Sequence, residues 1–267
     1  MEILKSGKED DLYYVILDNG TKLYSATSLV REHAFVRYDC CDYEVDKQPT
    51  KYLQKYIRHQ DKLFNLREPA ETRDKLMKII PPQEGDTVLE LGAYMGYGSV
   101  KLSQIVGTGR VISVEADPQN FEIVKKNLEV NKCKNVIPVN ACIWNEETEL
   151  EFYSVSAQGK SLVKGLLRKP KTSKIKTITA DKLLKDVGIE SVDLVTLEIN
   201  LAEVEALRGM TRLLQNNKMR IISAGWYRYK KKLAYKWLKE ILESHGFNVY
   251  IGIKNRVYGV KGYEDLA

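Results

Sequence analysis

The sequence contains no run of about 18 apolar residues, the length a membrane-crossing helix requires, so no transmembrane span and no membrane partner are expected. Its first residues, MEILKSGKED, are not followed by the apolar stretch of a secretory signal, so none is predicted. Cysteines are few: Cys40, Cys41, Cys133 and Cys142. The adjacent pair lacks zinc-ligand spacing and the other two form no CxxC, so no metal site is expected. Reduced thiols in a cytoplasmic protein are the expectation. The three histidines are His33, His59 and His245. The first two fall in the N-terminal region, where a surface role is expected, and His245 precedes a glycine at a helix end, where a cation suits the helix dipole. There is no internal repeat, no GxGxxG fingerprint, and no N-P-P-[YF] or D-P-P-Y motif of base-amine chemistry. Charge is not extreme either: the net value of +6 is compatible with an anionic partner without requiring one.

What is present falls into two parts. Residues 1–66 read as an accessory region, a β-rich cap followed by a helix. In LYYVILDNGTKLYS (Leu12–Ser25), two apolar runs flank Asp18-Asn19-Gly20, and Asn-Gly tolerates the positive φ of a tight hairpin turn. From residue 67 to 267 strands and helices alternate. ETRDKLMKII reads as a helix, stopped by Pro81-Pro82. Thr87–Leu91, Arg110–Glu115 and Asn135–Ile143 read as strands, ELEFYSV as an extra one, and VDLVTLEI and RIISAG as two more. The helices between them include Tyr97–Val106, one opened by Asp117-Pro118, one over AEVEALRGMTRLL, and LAYKWLKEILESHG with Trp237 on its core face. FNVYIGI and RVYGVKG close the series as an antiparallel pair. This alternation predicts an α/β fold, a mostly parallel seven-stranded sheet with helices on both faces.

The stretch VLELGAYMGYGS carries the chemistry. It runs from a strand into a helix, with the pattern E-x-G-x-x-x-G-x-G over Glu90, Gly92, Gly96 and Gly98. Glycines here let a ligand lie against bare backbone, and the helix N-terminus presents unpaired N–H groups. One strand later, Glu115 stands at the neighbouring strand end, where a carboxylate can accept both hydroxyls of a ribose. Glycines for an amino-acid-like tail and an acid for a sugar, with no pyrophosphate fingerprint, describe S-adenosylmethionine better than NAD.

These residues resemble the FkbM-type family of class I, Rossmann-like methyltransferases over roughly Gly85 to Leu214. The family pattern D-x-G-A-N-x-G-x-x-S reads here as ELGAYMGYGS, with Tyr94 in place of Asn. VISVEADPQNFEIVKKNLEVN, NVIPVNACIWNEETELEFY and KTITADKLL resemble the segments that follow. VDLVTLEINLAEVEALRGM resembles the hallmark I-K-x-D-V-E-G-x-E: Glu198 matches the Asp, Asn200 and Leu201 replace Glu-Gly, and Glu203 keeps the second Glu. The resemblance implies S-adenosyl-L-methionine as cofactor, with Glu90, Gly92, Ala93, Tyr94 and Gly96 around its methionine end and Glu115 on the ribose. It also implies Ala116, Asn140 and Ala141 beside adenine, and an O-directed methyl transfer to a small-molecule or glycan-like hydroxyl.

Such a reaction needs the nucleophile in line with the methyl group at roughly 3–3.5 Å, and gains from a base for the hydroxyl proton. Glu198 and Asn200 are the catalytic candidates. Strand alternation predicts both on one face, and Glu198 is read as base, as holder of the donor's amino group, or as a cap on the next helix. Glu203 is expected as a capping or dipole partner. Two basic runs, Lys164–Lys176 and Trp226–Lys232, keep RNA open as an acceptor. The first reads otherwise as a solvated loop; the second reads either as a helix entrance with snorkelling lysines or as a strand end where Trp226, Tyr227 and Tyr229 line a pocket. A donor-binding scaffold without catalysis is the third reading.

Overall fold

The structure, a computed structural model, describes residues 2–26, 70–154, 160–162 and 171–263. It begins with a three-stranded antiparallel sheet of β1 (Ile3–Glu9), β2 (Leu12–Leu17) and β3 (Lys22–Ala26) in that order. The turn between β2 and β3 is the one expected, with Gly20 at φ 82° and the Asn19 side chain accepting from Thr21 N. β1 was not foreseen: KSGKE is mostly exposed and has no apolar alternation. His33, His59, Cys40, Cys41 and the expected N-terminal helix lie outside the described residues.

Next come α1 (Ala70–Ile79), β4 (Thr87–Leu91), α2 (Tyr97–Val106), β5 (Arg110–Glu115), α3 (Pro118–Val130) and β6 (Val136–Asn140). α3 opens as its sequence dictates: the Asp117 carboxylate accepts from Asn120 N at 2.9 Å, and Pro118 sits where no N–H is needed. The strand expected through Ile143 divides after Asn140. Its remainder, β7 (Cys142–Ile143), leaves for a second sheet with β8 (Glu149–Ser154), β9 (Lys160–Ser161) and β10 (Lys171–Ile178). The described end of the first basic run, Lys171–Lys176, is therefore not a loop: it is a strand paired antiparallel with β8.

The chain continues through α4 (Ala180–Asp186), β11 (Leu194–Leu197), α5 (Glu203–Arg208), β12 (Met219–Ser223), β13 (Arg228–Tyr229), β14 (Lys232–Leu233), α6 (Ala234–Ser244), β15 (Asn248–Ile251) and β16 (Val257–Lys261). α5 stops well short of the predicted Leu214. The amides of Arg212 and Leu213 bond to the Asp181 carboxylate at 2.7 and 3.0 Å, which draws that segment out of the helix. The second basic run contains a hairpin, β13–β14, that its sequence did not announce.

The main sheet has the order β15-β16-β12-β11-β4-β5-β6, parallel from β12 to β6, with β16 antiparallel to both neighbours. Successive residues of each strand feed opposite faces. Leu89, Ile112, Val195 and Ile221 join one buried cluster with residues of α4, α5 and α6, while Val88, Val111, Leu194 and Ile222 join another with α1, α2 and α3. Arg220, 1% exposed, staples the end of α1 to the sheet. Its guanidinium meets Asp86 Oδ1 at 2.5 Å and donates to the carbonyls of Ile79 and Pro81. Strand order reverses between β4 and β11, and in open α/β sheets ligands bind in the crevice beyond such a point.

Candidate active site

The loop after β4 is built around backbone that only glycine tolerates. Gly92 has φ 95°, and a Cβ there would lie 2.3 Å from the carbonyl oxygen of Glu198, so the ends of β4 and β11 touch. Gly96, at φ 82°, precedes α2. Tyr94 also adopts a positive φ, 55°, which favours the Asn of the family pattern over Tyr. The loop is held from below: Gly92 N and Ala93 N both donate to Val114 O, and Tyr94 N donates to Glu115 Oε2 at 2.8 Å.

Glu90 is buried beneath α2. Its Oε2 accepts from Ser99 Oγ at 2.5 Å, and that hydroxyl lies 2.7 Å from Ser113 Oγ. Gly98 lies directly above it: a Cβ there would fall 2.3 Å from Glu90 Oε1, so the carboxyl would have to shift. Burial pushes the Glu90 carboxyl up to about 7 against the pull of the two serines. Glu115 closes β5. Besides Tyr94 N it accepts from Asp117 N at 3.0 Å, and burial lifts it to about 7 as well, opposed by these two amides. Asn140 bonds through Nδ2 to the carbonyls of Glu115 (2.8 Å) and Ala116 (3.2 Å), so its amide fixes that turn. Ala141 N reaches Glu115 O, and burial pushes the adjacent Cys142 thiol up to about 12.

On the β11 side the arrangement differs from strand alternation. β11 ends at Leu197, and Asn200 and Leu201 take φ of 55° and 77°, so Glu198 and Asn200 do not share a strand face. Glu198, 28% exposed at its side chain, pairs with Arg256 at 2.6 Å, and that guanidinium lies 5.0 Å from the Trp226 ring. Asn200 instead accepts from Tyr227 OH at 3.0 Å, and its carbonyl accepts from Ser161 Oγ. The turn is capped by Glu203, fully buried, whose Oε1 accepts from Ile199 N at 2.9 Å. Glu203 Oε2 has no hydrogen-bond partner among the described residues. Burial raises this carboxyl to about 7, offset in part by the backbone amides of Glu203, Ile199 and Leu201.

Glu90, Gly92, Gly98, Glu198 and Arg256 line one cavity of about 70 Å³, together with Lys101 and Thr196. Arg256 was not singled out from the sequence: nothing distinguishes it there among 42 lysines and arginines. Of the aromatics of the second basic run, Trp226 is half-buried and its ring lies against the Arg256 guanidinium. Tyr227 and Tyr229 are buried, Tyr229 against Glu205 and edge-on to Trp237, itself half-buried on α6. His245 caps α6, with Nδ1 2.8 Å from Ile241 O. Among the described residues no group of three or more His, Cys, Asp or Glu could hold a metal, and no helix is long and apolar enough to cross a membrane.

A sheet of this order, with a glycine loop at its switch point and an acid ending the next strand, is the Rossmann-like fold of class I methyltransferases. The chain belongs to the methyltransferase FkbM domain family, whose model matches residues 90–249. The crystal structure of methyltransferase FkbM from Methylobacillus flagellatus KT superposes with a TM-score of 0.50 at 13% identity, covering 82% of this chain and 62% of that one, a likeness of fold. Protein-L-isoaspartate O-methyltransferase 1 of Archaeoglobus fulgidus is 31% identical over 126 residues, 46% of this chain and 53% of that protein. The Aeropyrum pernix protein-L-isoaspartate O-methyltransferase is 36% identical over 66 residues, 24% of this chain and 25% of its own length. The chain thus spans about half or less of these curated relatives.

Proposed function

We propose that the chain methylates a hydroxyl of a small-molecule or glycan-like acceptor, with residues 67–267 as the methyltransferase domain and residues 1–66 as an accessory region. The observation that carries this reading is the contact of Gly92 with the Glu198 backbone. It sets the donor loop and the acidic end of β11 side by side, as transfer between two bound molecules requires.

The residues fit the donor. Gly92, Ala93 and Gly96 present bare backbone to its methionine end, with Glu90 and Tyr94 framing the loop. Glu115 Oε1 takes Asp117 N and, at 3.5 Å, Asn120 Nδ2, while Oε2 takes only Tyr94 N, which leaves Oε2 a lone pair for a ribose hydroxyl. Ala116 and Ala141 offer small side chains beside adenine, while Asn140 holds their turn in shape. When bound, the donor supplies a methyl group already activated on a sulfonium. Glu198 takes the proton of the acceptor hydroxyl as its oxygen gains the methyl, and Arg256 keeps that carboxylate aimed. Asn200, tied to Tyr227, shapes the wall of the acceptor side.

Two substitutions separate these roles. Glu115→Ala weakens donor binding by about 1.5–3 kcal/mol, the range for hydrogen bonds to a charged group. Glu198→Gln lowers turnover sharply and leaves S-adenosylhomocysteine affinity within a few-fold. Normal turnover by Glu198→Gln removes it as the base.

RNA as acceptor is the second reading, supported by the exposed cations Arg228, Lys230, Lys231 and Lys232 on the β13–β14 hairpin. With the neighbouring tyrosines buried, such contacts go to phosphates, so retention on RNA falls steeply with salt.

A further inference from the structure

The three-stranded N-terminal sheet leaves the outer edge of β3 to be satisfied, and α3 satisfies it with side chains. Asn127 and Asn131 stand four residues apart, a rise of about 6 Å along a helix. Lys22 and Tyr24 stand two apart on β3, about 6.8 Å along an antiparallel strand. The two spacings match, and each asparagine amide pairs with one strand residue as a neighbouring strand would. Tyr24 N donates to Asn127 Oδ1 at 2.7 Å, and Asn127 Nδ2 donates to Tyr24 O at 3.0 Å. Lys22 N donates to Asn131 Oδ1 at 3.1 Å, and Asn131 Nδ2 donates to Lys22 O at 2.7 Å.

The two rungs differ in one respect. The second amide hydrogen of Asn127, a fully buried residue, goes to Met95 O at 2.7 Å, inside the glycine loop. Asn131 makes no such contact; its Nδ2 also bonds Asn127 O, within α3. Packing follows the same line, because Met95 and Tyr97 share a buried apolar cluster with Val15, Leu17 and Leu23 of the sheet and Ile123 of α3. Met95 lies between Tyr94 and Gly96, both at positive φ. A strained loop of this kind keeps its shape only when its surroundings over-determine it.

We propose that Asn127 is a positioning residue for methyl-donor binding: it fixes the Met95 carbonyl and so couples the N-terminal sheet to the glycine loop. The proposal rests on the donor lying against that loop. Because coupling between two sites is reciprocal, donor binding must also steady the Tyr24 rung.

Asn127→Ala and Asn131→Ala each remove one rung, and both lower the melting temperature, but only the first touches the loop. Calorimetry with S-adenosylhomocysteine on the full chain is expected to show about ten-fold or greater weakening for Asn127→Ala, as for loss of one or more buried hydrogen bonds. For Asn131→Ala the affinity stays within about two-fold, since its rung lies off the loop. In the unaltered protein, saturation with S-adenosylhomocysteine slows hydrogen exchange of Tyr24 N–H more than that of Lys22 N–H. Equal weakening by the two variants, or unchanged affinity in Asn127→Ala, overturns the proposal. Should Asn127→Ala not fold, the exchange comparison decides, and equal protection at Tyr24 and Lys22 overturns it. Absence of binding by the unaltered protein removes the donor assignment itself and this proposal with it. Binding by the unaltered protein and by Asn127→Ala alike removes only the proposal.

Discussion

Glu203 offers a sharp test of how the acceptor-side turn is built. Its carboxyl is fully buried, caps Ile199 N through one oxygen, and carries a second oxygen with no hydrogen-bond partner among the described residues. Burial raises it to about 7 from an ordinary value of 4.5. A carboxyl raised on folding costs nothing well below pH 4.5, where both states hold the proton. Its cost grows between the two values and is constant above the higher one. Relative to the fully protonated reference, that cost is under about 1 kcal/mol at pH 5 and about 3 kcal/mol at pH 8, since a tenfold change in proton binding corresponds to about 1.36 kcal/mol. Glu203→Gln cannot titrate. Whatever the amide gains or loses by packing is the same at both pH values and cancels in the comparison. Urea unfolding of cofactor-free protein at pH 5 and pH 8 is therefore expected to show the variant gaining about 2–3 kcal/mol on the parent between those pH values. Parallel pH profiles for parent and variant would refute the assignment of a proton-holding carboxyl at this turn.

Three other substitutions probe the scaffold. Gly92→Ala puts a Cβ 2.3 Å from the Glu198 carbonyl at φ 95°, so β4 and β11 must part; a loss of about 3 kcal/mol or more in denaturant unfolding is expected. Arg220→Met leaves Asp86 buried and unpaired and frees the carbonyls of Ile79 and Pro81, for a loss of about 3–5 kcal/mol by the same measurement. Leu201→Gly relieves about 1–2 kcal/mol of left-handed strain but empties a fully packed site worth about 2.7–5 kcal/mol. The variant is expected to be less stable by about 0.7–4 kcal/mol, even though the family pattern has glycine there.

Much of the molecule was legible because local rules agreed with the global fold. Asp117-Pro118 opens α3, Asn19-Gly20 turns the hairpin, and the spacing of Ala234, Leu238 and Leu242 gives α6 its buried face. The glycine loop was legible for the same reason, since its residues are required by backbone conformation rather than by distant partners. The misreadings arose where a distant side chain, a pairing strand or an unusual backbone conformation overrode local preference. Asp181 shortened α5, pairing with β8 made Lys171–Lys176 a strand, and the left-handed pair Asn200–Leu201 broke the alternation assumed for Glu198 and Asn200.

The sequence by itself determined the alternation of strands and helices that builds the main sheet, the bare-backbone bend after β4 and the acid that ends β5, because periodicity, capping and glycine stereochemistry act between near neighbours. Only the tertiary structure decided that Arg256 faces Glu198, that Glu203 is buried as the cap of its turn, and that Asn127 joins the N-terminal sheet to the loop. Those contacts bridge up to 103 positions of sequence, as between Tyr24 and Asn127, and no local pattern records which polar groups a fold will bury together.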